Sequence, residues 1–236
     1  MEDQKRNTAA EDLERAELPD AEQKEEKKPN PFEPKGFAGT VYTMFHDMVS
    51  ILAVIIVCFI FAARLVGVYG SSMYPTLVGA EDSAGANGDY LLLRSNFLSA
   101  SYRPGDIVVA CVPSFQNGKP IVKRVVAAEG QTIQFRQGED GYLHVWVDGV
   151  LQDESRINEP MLPAGVGDDG YSAVVPEGCY FLMGDNRNNS TDSRSAAVGM
   201  VDERYIVGKA LWLVFPGQDF RQGNSMDWSR LGNIYD

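Results

Sequence analysis

A serine hydroxyl is a poor nucleophile at neutral pH unless a neighbouring base takes its proton, so the first question is which bases this sequence offers its serines. Ser71 and Ser72 lie in the run Gly70-Ser71-Ser72-Met73-Tyr74-Pro75-Thr76-Leu77, where Pro75 fixes its own φ and restricts Tyr74. The serines are therefore presented on a rigid turn. There are two histidines: His46 precedes the longest apolar run and His144 falls in a strand-like segment, which gives a Ser-His-Asp arrangement one poor candidate. Lysine is the alternative. A neutral amine is a competent base, but a lysine near its ordinary pKa of ~10.4 holds its proton at pH 7 and must be desolvated to lose it. Lys123 meets that need, since Ile121, Val122, Val125, Val126, Ala127 and Ala128 surround it in sequence. The strand alone fits equally an edge lysine that discourages strand-to-strand aggregation.

A second polar stretch, 184–194, packs two aspartates, three asparagines and two arginines into eleven residues. On composition it reads as a surface loop of turn formers. Arg103-Pro104-Gly105-Asp106 reads as a turn feeding a strand.

These stretches, in this order, resemble a bacterial type I signal peptidase, a membrane-anchored Ser-Lys protease. The resemblance is carried by Ser72-Met73-Tyr74-Pro75-Thr76-Leu77, Arg103-Pro104-Gly105-Asp106-Ile107-Val108, Lys123-Arg124-Val125-Val126 and Gly184 to Arg194. It implies Ser72 as nucleophile and Lys123 as general base. It further implies Ser190 as a hydroxyl that hydrogen-bonds the lysine, and Asp192 with Arg194 as an ion pair bracing the site, with Arg124 close by. Gram-negative members place an oxyanion-hole serine two residues before the nucleophile. Here that place is Gly70, as in the Gram-positive-like, single-anchor members, so oxyanion stabilisation is expected to rest mainly on the Ser72 backbone N–H. Gly70, Met73, Tyr74 and Val122 are expected beside the substrate, the apolar ones lining shallow pockets for small side chains. The resemblance also implies a substrate bound as an extended strand with small residues, commonly alanine, at the first and third positions before the cut.

Composition sets the outer limits. With 236 residues and 44% hydrophobic content the chain can build one sizeable domain and something smaller. A formal net charge of -12 excludes nucleic acid as a partner, because phosphate binding needs clustered Lys and Arg. The three cysteines, Cys58, Cys111 and Cys179, make no disulfide framework; Cys111 and Cys179 are expected as free buried thiols, a bridge being the alternative. No Cys-x-x-Cys or His-x-x-x-His spacing occurs, so neither a metal nor a cofactor is expected.

Residues 1–36 hold eleven acidic and seven basic residues with few large apolar ones, so a disordered cytoplasmic tail is expected over 1–42. Residues 48–68 are 21 residues with a single charge, Arg64, a length that reaches ~30 Å as a helix and spans a bilayer's hydrocarbon core. A transmembrane helix is expected over 43–68. Lys24, Lys27, Lys28 and Lys35 precede it and no basic residue follows Arg64 until Arg94, which puts the N-terminus in the cytoplasm and residues 69–236 outside. Beyond Tyr69 the pattern becomes short β-rich pieces: 90–94, 106–112, 120–128, 132–136, 142–147, 180–183 and 206–215, with Asn117-Gly118, Glu139-Asp140-Gly141 and Asp148-Gly149 as turns. Residues 158–174 read as a loop. The expected architecture is a mainly β extracytoplasmic domain, of signal peptidase or LexA type, behind one N-terminal membrane helix. The expected partners are signal peptides and the lipid bilayer, and the expected state is a monomer. Two other readings share these features: a LexA-like self-cleaving protein, disfavoured by the membrane span, and a catalytically silent relative acting in assembly, for instance of pili.

Overall fold

The computed structural model describes residues 36–80, 87–96, 101–163, 170–219, 221, 223 and 225–235. Most of the expected polar tail lies outside the described residues. Two compact units are distinguished, Met1–Leu52 and Ala53–Asp236.

Helix α1 covers Phe37–Ala62. It is long and apolar enough to cross a membrane, and almost all its side chains are exposed, Gly39 being the one buried residue. The expected span of 43–68 is displaced toward the N-terminus. Residues Ala63–Gly67, expected as its last turns, form strand β1 and pair antiparallel with β2, Tyr90–Ser95. Sheet pairing across the five positions from Ala63↔Arg94 to Gly67↔Tyr90 outcompetes helix continuation there, because Val66 is β-branched and Gly67 is a weak helix former.

The remaining strands are β3 (Ile107–Cys111), β4 (Pro120–Ala128), β5 (Thr132–Gln137), β6 (Leu143–Val147), β7 (Val150–Leu151), β8 (Ser172–Val174), β9 (Cys179–Met183), β10 (Val201–Asp202), β11 (Ile206–Phe215), β12 (Gln218–Asp219), β13 (Ser225–Met226) and β14 (Gly232–Asn233). The main sheet runs β1-β2-β11-β3-β4-β9-β10, with β14 added to β11; a smaller sheet runs β7-β6-β5-β8. The fold is mainly β, and every pairing between these strands among the described residues is antiparallel.

Three apolar clusters bury the strands' faces. One gathers Met73, Leu77, Leu91, Leu93, Ile107 and Val122; a second gathers Val108, Val125, Leu182 and Ile206; the third joins the two sheets through Val126, Phe135, Val145, Phe181 and Met183. β4 contributes to all three, which is why its sequence is apolar almost throughout rather than alternating. Cys111 and Cys179 are half-buried free thiols.

Candidate active site

Ser72 sits at the start of a turn that leaves the sheet and returns to it. Gly70 adopts φ +73°, a left-handed conformation open to glycine and strained for other residues, and its N–H donates to the Ala80 carbonyl. The backbone then closes one helical turn, Tyr74 N–H donating to the Ser71 carbonyl and Leu77 N–H to the Met73 carbonyl. Met73 (1% exposed) and Leu77 drive into the core beneath and peg the turn in place. The Tyr74–Pro75 peptide is cis.

Lys123 approaches from β4. Its pairing with Val108 on β3 fixes its height along the sheet, and its side chain is buried, 3% exposed. Nζ lies 2.6 Å from Ser72 Oγ and donates to the Val122 carbonyl at 3.0 Å. Burial pushes the amine's pKa down from 10.5 to about 8, against the opposing pull of the Asp192 and Asp185 carboxylates, with Arg194 adding to the lowering. A substantial neutral fraction is thereby present at mildly alkaline pH, so the amine can accept the serine proton.

The loop 184–194 binds both of these elements together. Asn186 donates its backbone N–H to the Ser72 carbonyl and its side-chain amide to the Ser71 carbonyl, each at 3.0 Å, while Asn189 Nδ2 donates to Ser71 Oγ at 3.0 Å. Asp185 accepts from Thr76 Oγ1 at 2.6 Å and from Arg124 Nε and Nη2 at 2.8 and 2.6 Å. Thus Arg124, on β4 beside Lys123, and Thr76, on the Ser72 turn, share one buried carboxylate. Asp192 is fully buried and takes a bidentate pair from Arg194, 2.8 and 2.9 Å, together with the Gly184 N–H and the Ser190 hydroxyl. These bonds hold its carboxyl below the ordinary range despite burial, and it remains an anion facing Lys123.

The sequence-based expectations sort as follows. Ser72, Lys123, Asp192, Arg194 and Arg124 converge. Ser190 lies in the same loop, but its hydroxyl donates to Asp192 at 2.7 Å, where a bond with the lysine was expected; an ionised carboxylate is the stronger acceptor. A cleft of about 870 Å³ opens over the pair, walled by Gly70 and Val122 as expected, and also by Leu65, Val66 and Ile121. Met73 is core rather than cleft wall, and Tyr74 turns away to border a separate hollow, where the Arg221 guanidinium lies 4.2 Å from its ring centre. Residues that flank the nucleophile in sequence point to opposite sides of the turn, so adjacency did not mean access. Asn186, Asn189 and Thr76 escaped the sequence reading because asparagines in a turn-rich stretch carry no mark distinguishing a loop former from a donor to a distant carbonyl.

The family model described as "Signal peptidase, peptidase S26" matches residues 41–215. The chain belongs to this family. Signal peptidase I of Bacillus amyloliquefaciens is 33% identical over 184 residues, covering 72% of this chain and 82% of its own. Signal peptidase I T of Bacillus subtilis (strain 168) is 34% identical over 182 residues, covering 73% and 83%. A probable signal peptidase I-1 of Synechocystis is 33% identical over 199 residues, covering 79% and 84%. The S26 match spans the Ser72 turn, β4 and the 184–194 loop, so it includes Ser72, Lys123, Arg124, Asp185, Asp192 and Arg194.

Proposed function

We propose that Ser72 and Lys123 are the catalytic pair of a membrane-bound serine endopeptidase that removes N-terminal signal peptides from exported preproteins. The observation that carries this is the 2.6 Å approach of a buried amine to a serine hydroxyl at the floor of an open cleft. Neutral Lys123 accepts the Ser72 proton as Oγ attacks the scissile carbonyl, and the resulting ammonium returns it to the leaving amine. Water, deprotonated by the same amine, then hydrolyses the acyl-enzyme. The Ser72 backbone N–H stabilises the oxyanion. Asp192, Arg194, Ser190, Arg124 and Asp185 brace the pair, and the chemistry needs no metal or cofactor.

Among the described residues, two strand edges beside the cleft carry no strand partner: the outer edge of β1, and β4 from Pro120 to Lys123, which pairs with β3 on one side while its partnership with β9 begins at Arg124. An extended peptide lying between them would gain main-chain hydrogen bonds, with Gly70 and Val122 limiting the size of the residue before the cut. Helix α1 anchors the protein in the membrane, and the lysines that precede it support a cytoplasmic N-terminus with residues 69–236 outside.

The test is cleavage of a purified preprotein in detergent or liposomes. Wild-type protein is expected to release the signal peptide, and Ser72→Ala to abolish release. Absence of cleavage by the wild type, or undiminished cleavage by Ser72→Ala, overturns the reading and favours a silent assembly factor.

A further inference from the structure

We propose that Glu154 is a positioning residue for the Ser72–Lys123 pair, acting through Arg187. The proposal rests on the catalytic reading above and deepens it. Arg187 opens the short 3-10 turn Arg187–Asn189. Asn186, directly before it, and Asn189, two residues after it, are the asparagines that grip Ser71 and Ser72. Its own carbonyl accepts from Arg194 Nη2 at 2.6 Å, and Arg194 is the partner of Asp192, the carboxylate facing the lysine. One residue therefore joins the part of the loop that holds the nucleophile to the part that faces the base.

Among the described residues Glu154 supplies the carboxylate that hydrogen-bonds the Arg187 guanidinium, with Asp185 and Asp192 adding attraction at longer range. The guanidinium is buried, 6% exposed for the residue; Nη1 donates to Glu154 Oε1 at 3.3 Å, and Nε finds no hydrogen-bond partner among the described residues. Glu154 comes from the segment after β7, outside every stretch that carries the family resemblance, and it is fixed from behind. Its Oε2 meets His144 Nδ1 at 2.9 Å, and His144 Nε2 reaches Asp140 at 3.1 Å. A buried guanidinium stripped of its counter-charge is strongly disfavoured and escapes toward water. Here that escape would drag residues 186–189 off the Ser71 and Ser72 carbonyls and let solvent reach Lys123 Nζ. Both consequences are measurable, and the second separates positioning from bulk stability. Hydration of the amine raises its pKa, whereas a smaller folded fraction lowers activity equally at every pH.

The experiment measures kcat and KM from pH 6.5 to 10.5 for the full chain in detergent micelles, with a peptide carrying an Ala-x-Ala site. The proteins are wild type, Glu154→Gln, Glu154→Asp, His144→Gln, the double variant Glu154→Gln/Arg187→Met, and Ser72→Ala as background. Glu154→Gln is expected to lower kcat about tenfold with KM little changed. It should also move the acid limb of the profile upward by about half a pH unit or more. Glu154→Asp should recover part of both effects and His144→Gln should show a weaker version of them. If Glu154→Gln does not fold, Glu154→Asp decides, since it keeps the counter-charge but shortens its reach: a limb displaced from the wild-type position supports the proposal, and a wild-type limb overturns it. The double variant, which leaves no orphaned charge to pull the loop, should return the limb to the wild-type position. A wild-type profile for Glu154→Gln, or a uniform loss with the limb unmoved, overturns the proposal while an inactive Ser72→Ala leaves the catalytic reading standing. An active Ser72→Ala removes both.

Discussion

The backbone N–H of Asn186 donates to the carbonyl of Ser72 at 3.0 Å, so the loop that carries Asp192 also grips the peptide that carries the proposed nucleophile. The side-chain amide of the same asparagine reaches the Ser71 carbonyl. Asn186→Ala leaves the first bond and removes the second. One neutral hydrogen bond contributes about 1 kcal/mol, enough to change a geometry-dependent rate about fivefold. The variant should therefore lose about that much kcat with KM nearly unchanged, read in steady-state peptide cleavage. An equal loss in Asn189→Ala, which releases Ser71 Oγ, would locate the effect in the grip rather than in Asn186 itself.

This part of the site shows where sequence reasoning stopped. Ser72 on its proline-braced turn and Lys123 amid aliphatics stood out as candidates, but the pairing of the two and the Asp192–Arg194 brace came only with the family resemblance, because on residue types alone Lys123 fits an edge strand and 184–194 a surface loop. The long strands were legible from their apolar and β-branched runs, and β4 was placed to the residue. The asparagine donors, the Asp185 carboxylate shared by Thr76 and Arg124, and the Glu154–Arg187 support were not, because each depends on contacts across 33 to 118 positions of chain. The end of α1 was misplaced because Ala63–Gly67 continue the apolar run without a break, while what makes them a strand is pairing with β2, about 25 residues further along the chain.

Gly184 has no room for a side chain. A Cβ built there would lie 2.3 Å from Ser190 Oγ, 2.4 Å from the Ser72 carbonyl oxygen and 2.7 Å from Ser190 Cβ. Relief requires Gly184 to retreat or both the Ser72 peptide and the hydroxyl that supports Asp192 to move. Gly184→Ala should fold, because the strain is confined to one loop, yet lose at least about a hundredfold in kcat/KM, since a small displacement of reacting groups has that effect. A variant cleaving at the wild-type rate would mean that the loop is free to retreat.

The pH dependence of cleavage follows from the amine. Lys123 must be neutral to act, and burial sets its pKa at about 8. The rate should therefore climb as pH rises through about 8 and level off above it. Lys123→Met keeps bulk and removes the base, so it should lose on the order of 10²- to 10⁴-fold, the usual contribution of a general base. A flat profile between pH 6 and 9 would contradict a titrating base of this kind.

The same pKa has a consequence for stability. The folded value, about 8, lies below the unfolded 10.5, so between these two pH values the unfolded chain binds more protons at this site than the folded one, and stability rises with pH across that window. Below pH 8 the penalty for holding the ammonium in a dry site is complete, about 3 kcal/mol at most from a depression of this size. Above pH 10.5 it vanishes. Lys123→Met is free of it at every pH. The melting temperature of the variant should exceed that of the wild type most at pH 7, with the gap closing steadily as the pH is raised toward 10. Differential scanning calorimetry of both proteins across that range reads the effect directly. A gap that stays constant, or widens with pH, would mean that the amine is not desolvated in the folded enzyme, and the lowered pKa on which its catalytic role depends would be lost with it.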